Sequence, residues 1–423
     1  MFVMLPEVLQ YFLDQRDKKH PFCLYSGSRE GYSYVGFNPQ RICRVYPRHL
    51  EIDGNKILLN KNQNPFDLLE ELFSPHSSME QDYFKEGWLG FWAYEMASFA
   101  DESFPKRDLP EDFLLGWWGY YQDVKHWEGS CPFSLPKSAS LEKLVAGKLW
   151  EAPSRVTPSS EKLNYFFSLS KILSYIEAGD CYQVNFSQRF EMDCPPDFDA
   201  PTKFLDLLQK HPAPFTAYLD CGEKKIISLS PEEFLSIHKD RIHTSPIKGT
   251  RPRGLTKEED ESLVKDLENS EKEKAELLMI VDLERNDLGK VCESGTIKVD
   301  SLRKIETYDY VHHAVAEVAG KIKKGVTPLQ ATRALFPGGS ITGAPKRRAM
   351  EIIQELETEA RGIYTGTIGF YDVSGFTRLN IAIRSMEIEN GKIRFGMGGG
   401  IVADSEAEKE YEELFVKAKV FLG

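Results

Sequence analysis

The 423-residue chain has no apolar run approaching the roughly 20 residues that a membrane-crossing helix requires. Its first residues, "MFVMLPEVLQYFLDQRDKK", lack a basic start, and Pro6, Glu7 and Gln10 interrupt their apolar run, so no secretory leader is read there. Cysteine is sparse: seven residues (23, 43, 131, 181, 194, 221, 292), scattered, odd in number and without a Cys-x-x-Cys pair. That pattern excludes a disulfide framework, argues against a zinc centre, and places free thiols in a reducing cytoplasm. There is no internal repeat or low-complexity tract. Long basic runs are also missing. "RPR" (251–253) and "PKRR" (345–348) are short, and the net charge of -12 excludes a nonspecific nucleic-acid binder, so these runs suit solvated or substrate-facing roles.

What is present is enough apolar residue, 41%, to bury one large core or two ordinary ones. Residues 1–150 are rich in large aromatics beside glycines ("GWLGFWAYEMASFA", "FLLGWWGYYQD"), which predicts packed strands. The polar stretch 151–162, with two prolines, is the expected linker to a second unit over 163–423. There, "YFFSLSKILSYIEAGDCY" has helical spacing ending near Gly179, and "KKIISLS" and "RIHTSPI" read as strands. "SEKEKAELLMIVDLERNDLG" reads as a helix with a capping box of Ser270 and Glu273. Residues 362–400 read as three strands with turns at "DVSG" and "ENG", and a last helix is expected near Ser405. Strands come in antiparallel runs, so the expected class is α+β.

Two glutamate pairs stand at i and i+3 on separate helices, Glu273 with Glu276 and Glu410 with Glu413. Four carboxylates could hold Mg²⁺, a cation that takes a few carboxylates and keeps several waters. Each pair alone also has a plain explanation, as a helix cap or a solvated face. "FPGGSITGAPKRRAM" (336–350) fails the phosphate-loop pattern, because Ala-Pro follows its later glycine. Its exposed amides, with Ser340, Thr342 and a helix N-terminus, suit a carboxylate instead. "MGGGIVADS" (397–405) offers either close ligand approach at Gly398, Gly399 and Gly400 or a plain turn. Arg384 stands in the apolar run "LNIAIRSM" and needs a partner, either a bidentate carboxylate or a structural ion pair. His312 and His313 are adjacent, so at most one is expected to be functional. Lys248, in "SPIKGTRPRG", ends a strand-like run before Gly249, and is read as either a surface charge or a nucleophile.

Taken together, these segments resemble the chorismate-utilising enzymes over nearly all of residues 165–421. "SPIKGTRPRG", "AELLMIVDLERNDLGKV", "FPGGSITGAPKRRAMEII" and "GGGIVADS" occur in that family's order. The resemblance implies a β-sandwich of antiparallel sheets flanked by helices. It also implies Mg²⁺ on Glu276 and Glu413, with Glu273 and Glu410 acting through water. Substrate contacts implied are Arg384, Tyr364, Ser340, Thr342, Gly249, Thr250, Gly398, Gly399 and Gly400, with His313 near the ring and Glu232 of "LSPEEF" as general acid. Anthranilate synthases carry alanine where Lys248 stands, and family members that add water carry lysine where Gln183 stands. Lys248 with Gln183 therefore resembles aminodeoxychorismate synthase component I, which serves para-aminobenzoate and folate synthesis. Tyr364 departs from that pattern towards anthranilate synthase. The resemblance makes Lys248 the nucleophile and implies a separate glutamine amidotransferase subunit as the ammonia source. "CLYSGSREG" (23–31) replaces the "LLES" of tryptophan-sensing relatives, so tryptophan feedback is not expected. The alternatives are an anthranilate synthase component I and a non-catalytic subunit that holds a glutaminase.

Overall fold

The computed structural model describes residues 6–26, 31–61, 63–77, 82–129, 156–308 and 311–422. Two antiparallel sheets dominate, of ten and twelve strands among the described residues. Phe22, Tyr34, Ala217 and Ile226 of one sheet pack with Leu89, Trp117, Ile368 and Phe370 of the other, forming the inner layer of a sandwich. A second core lies between the ten-stranded sheet and helices that include Lys162–Glu177 and Ala200–Lys210. A third lies between the twelve-stranded sheet and the helices on its far side, where Trp88, Trp92 and Trp118 are buried. The class is α+β, and the aromatics expected in the core are there. No described helix is long and apolar enough to cross a membrane. Six of the cysteines are free, and Cys131 lies outside the described residues.

Several expectations need correction. The 1–150 and 163–423 division does not separate the sheets: Phe22–Tyr25 pairs with Phe215–Asp220, and Gly87–Trp92 pairs with Thr367–Asp372. Part of the expected linker is itself a short strand, Thr157–Pro158, against Phe190 and Glu191. Residues 362–400 hold four strands, not three, because the chain breaks between Thr377–Asn380 and Ser385–Glu389. Arg384 sits in that break at φ 49°, not in a strand. Apolar alternation cannot register such a kink, since the side chains on either side stay buried.

Nine elements frame the site. They are strands β1 (Gln183–Asp193), β2 (Glu233–His238), β3 (Ile247–Pro252), β4 (Val311–Lys321) and β5 (Lys392–Ile401), and helices α1 (Lys257–Asn269), α2 (Glu271–Val291), α3 (Lys346–Leu356) and α4 (Ala407–Leu422). The β1 and β5 strands belong to one sheet, and β2, β3 and β4 to the other. The capping box at α2 is half formed. Ser270 Oγ accepts the Glu273 amide, but the Glu273 carboxylate turns to Arg251 instead.

Candidate active site

A cavity of about 220 Å³ opens between the two sheets. It is lined by Lys248, Gly249 and Thr250 of β3, His313 of β4, the 398–400 glycines of β5, and Glu232, Ser340, Tyr364 and Arg384. The sequence-predicted residues from seven separate segments therefore converge on one space. The glycine run is not a turn: it forms the end of the β5 ladder, with Ser187, Phe186 and Asn185 opposite Gly398, Gly399 and Gly400. Small residues are needed there because the neighbours leave no room. A Cβ on Gly400 would stand 2.7 Å from Gln183 Nε2, and one on Gly398 2.6 Å from the Phe186 carbonyl. Gly249 combines a close approach with φ 96°, a conformation that L side chains rarely adopt.

Lys248 lies partly open to the cavity, and no hydrogen bond or ion pair holds its amine among the described residues. Burial pulls its pKa below the usual lysine range, and Glu276 and Glu232 pull the other way. Glu232 is buried at the same cavity and accepts a long contact from the Ile247 amide at 3.4 Å. Burial pushes its carboxyl up to about 7, with the Ser340 hydroxyl and Lys248 opposing. Such a carboxyl is a proton donor near neutral pH. His313 Nδ1 meets Thr250 Oγ1 at 2.9 Å, while its buried Nε2 has no partner among the described residues. Burial and Arg384 lower His313 to about 4, so its ring is neutral at physiological pH. His312 faces the other way, towards Thr307 and Asp260, as adjacent residues on a strand must.

Gln183 and Thr342 do not line the cavity. Gln183 is fully buried behind Gly400 with neither side-chain polar atom partnered among the described residues. Thr342 Oγ1 donates to the Gly338 and Gly339 carbonyls. The Gly339 amide is not open to an anion either, because Glu284 accepts it at 3.0 Å. Arg251 and Arg253, read as solvated or substrate-facing, are structural: Arg251 bridges Asp266 and Glu273, and Arg253 grips Asp260, which together pin α1 to β3. In "PKRR", Lys346 is buried against Asp287. The sequence reading missed two polar cavity residues, Asn185 and Lys417. Lys417 donates to the Gly398 carbonyl at 2.8 Å and pairs with Glu413 at 2.7 Å. In the sequence it looks like an ordinary i, i+4 partner on a solvated helix face.

The four glutamates gather beside this cavity without forming a ligand set. Arg251 holds Glu273, Lys417 holds Glu413, and Ser405 donates to Glu410 at 2.7 Å. No group of three or more His, Cys, Asp or Glu side chains among the described residues is placed to hold an ion. The donor chemistry nevertheless fits a hard cation. Burial raises the Glu276 carboxyl, as do Glu273 and Asp404, and burial with Glu413 raises Glu410. A cation would relieve that crowding of negative charge once Lys417 and Arg251 yielded.

The chorismate binding enzyme family matches residues 20–423. The chain is 44% identical over 254 residues to anthranilate synthase component 1 of Aquifex aeolicus, covering 60% of this chain and 51% of that protein. It is 33% identical over 439 residues to aminodeoxychorismate synthase component 1 of Bacillus subtilis, covering 96% of this chain and 93% of the relative. The chain thus spans about half the length of the first relative and nearly all of the second. Among solved structures, anthranilate synthase component I from Streptococcus pneumoniae superimposes with a TM-score of 0.79 at 29% identity, covering 93% of this chain and 92% of that one. A cavity built from seven separate segments, a sandwich shared with that structure and a match over almost the whole length have one account: the chain belongs to the chorismate binding enzyme family.

Proposed function

We propose that the protein is an aminodeoxychorismate synthase component I, converting chorismate and ammonia to 4-amino-4-deoxychorismate through a covalent bond to Lys248. The observation that carries this reading is Lys248 itself: a desolvated amine without a hydrogen-bond partner among the described residues, facing a cavity that also holds a protonatable Glu232. Burial favours the neutral amine, which is the nucleophilic form. Arg384 would take a substrate carboxylate in its planar fork. Lys248 attacks C2 of chorismate, the ring double bonds shift, and the C4 hydroxyl leaves as water with the proton of Glu232. The amine loses a proton as its bond forms. Ammonia then adds at C4, the double bonds shift back, and Lys248 is expelled, regaining a proton. Two displacements return nitrogen to the carbon that lost oxygen, and the enolpyruvyl ether survives.

Glu276 and Glu413, with Glu273 and Glu410 through water, would hold Mg²⁺, whose chemistry is to neutralise and anchor a substrate carboxylate. Lys417, His313, Tyr364 and the 398–400 glycines shape the remaining wall. Gln183, buried behind that wall, supplies no base that could activate water, which suits ammonia as the incoming nucleophile. A separate glutamine amidotransferase subunit would deliver the ammonia, and the cytoplasm is the expected compartment.

The test is incubation with chorismate, ammonium and Mg²⁺, followed by mass analysis. A non-aromatic amino product retaining the three-carbon side chain, without stoichiometric pyruvate, is expected, and Lys248→Ala loses it. Anthranilate plus pyruvate from the unmodified protein would overturn the assignment in favour of anthranilate synthase.

A further inference from the structure

Behind the 338–340 turn lies a buried charge cluster that the mechanism above leaves unused. Glu284 and Asp287 stand at i and i+3 on α2, and both are buried. Glu284 Oε1 accepts the Gly339 amide at 3.0 Å. Asp287 pairs with Lys346, the first residue of α3, and with Lys290 at 2.8 Å. Lys346 Nζ also donates to the Pro337 carbonyl at 2.6 Å and the Leu335 carbonyl at 3.1 Å. A carboxyl therefore grips the loop by an amide, and an ammonium grips it by two carbonyls. Gly339 lies so close to α2 that a Cβ there would stand 2.7 Å from Leu283 Cδ2 and 2.9 Å from Glu284 Oε1. The next residue, Ser340, carries a buried hydroxyl at the same cavity as Glu232, where it opposes the rise of that carboxyl.

Burying two carboxyls and a lysine is costly, and apolar packing could hold a loop without that cost. A charged cluster kept at this spot therefore points to a role in the chemistry next door. We propose that Glu284, supported by the Asp287–Lys346 pair, is a positioning residue that fixes Ser340 against the Glu232 carboxyl and so tunes the acid that protonates the departing hydroxyl. This rests on the role given to Glu232 above.

The groups facing Glu284 are Asp287 from its own helix, Lys346 from α3, and Glu232 from the segment before β2. Those facing Glu232 are Lys248 and the Ile247 amide from β3 and Ser340 from the turn. Burial and Asp287 raise the Glu284 carboxyl, as does Glu232, against the pull of Lys346 and the Gly339 amide. Each carboxylate, once charged, disfavours charge on the other.

The test follows chorismate consumption by the full chain with ammonium and Mg²⁺ from acid to alkaline pH. Glu284→Gln keeps an acceptor for the Gly339 amide and loses the charge. Its kcat should stay within a few-fold of the parent, while the alkaline limb moves to lower pH. Glu284→Ala loses the acceptor, so kcat should fall roughly tenfold or more, part of a general acid's contribution, with KM little changed. Adding Ser340→Ala to Glu284→Ala should cost nothing further. Superimposed pH profiles for Glu284→Gln and the parent would overturn the proposal, as would losses from Glu284→Ala and Ser340→Ala that add. If Glu284→Ala does not fold, the Glu284→Gln profile still decides. Glu232→Gln separates the two levels. Inactivity there with unshifted Glu284 variants sinks only this inference, whereas full activity sinks the acid role on which it rests.

Discussion

Replacing Glu232 by glutamine should remove activity and add stability, with a pH dependence that can be worked out beforehand. Burial lifts the carboxyl from 4.5 to about 7 in the folded chain. At about 1.36 kcal/mol per pKa unit, ionised Glu232 destabilises the native state by roughly 3 kcal/mol. The sign runs as for any acid whose folded pKa is raised. Below pH 4.5 the group is protonated whether folded or not, and the penalty is absent. It accumulates between 4.5 and 7 and is constant above. Glutamine has the same shape and no charge, so Glu232→Gln should gain little at pH 4.5 and up to about 3 kcal/mol at pH 8. Activity should move oppositely. The parent loses the protonated acid as pH rises through 7, and the variant should lose on the order of 10²–10⁴ in kcat at any pH. Denaturant unfolding of both proteins at pH 5, 6, 7 and 8, with chorismate consumption at each, reads both effects. A stability difference that does not grow with pH, or a variant that keeps full turnover, would refute the reasoning.

Arg384→Lys keeps the charge but not the fork, and should cost about 2–3 kcal/mol in kcat/KM, so an unchanged kcat/KM for chorismate would make the arginine structural. Glu276→Gln or Glu413→Gln should remove Mg²⁺-dependent turnover while circular dichroism stays that of the parent; full activity at saturating Mg²⁺ would remove these residues from the metal assignment. Gly249→Ala should impair folding and turnover together, because φ 96° and the Leu267 and Glu273 side chains leave no place for a methyl group. A thermal midpoint equal to the parent's would show that β3 can relax around it.

The α+β class was legible in the antiparallel strand runs, the sandwich came only with the family resemblance, and most of the cavity wall was legible because the motifs are local. Lys248, Gly249, Ser340 and the 398–400 glycines each lie in a short segment whose composition is odd for a turn or a strand, and the fold brings those segments together. What stayed hidden depends on tertiary placement. Nothing in "YEELFVKAK" distinguishes Lys417 from a solvated lysine, yet the β5 carbonyl at Gly398 lies within its reach. Nothing in "RPR" says that both arginines are spent on α1 and α2. Thr342 looked like a ligand hydroxyl because a sequence shows a side chain's chemistry but not its direction. Glu284 was invisible for the same reason, lying amid the charged residues of "VDLERNDLG" with no sign that its carboxyl faces inward.

The pairing of Phe22–Tyr25 with Phe215–Asp220, and of Gly87–Trp92 with Thr367–Asp372, has a consequence for how the chain acquires its structure. Each pairing closes a loop of well over a hundred residues, so the contact order is high and folding is slow by the usual relation. During synthesis the aromatic strands of the first third emerge long before their partners. At about 5–20 residues per second, the strand that covers Gly87–Trp92 arrives some tens of seconds later. Until then its edge is open and apolar, a surface that invites pairing with other chains. Chaperone-depleted or cold-slowed translation should therefore deplete this protein through aggregation of nascent chains, even where the finished fold is stable.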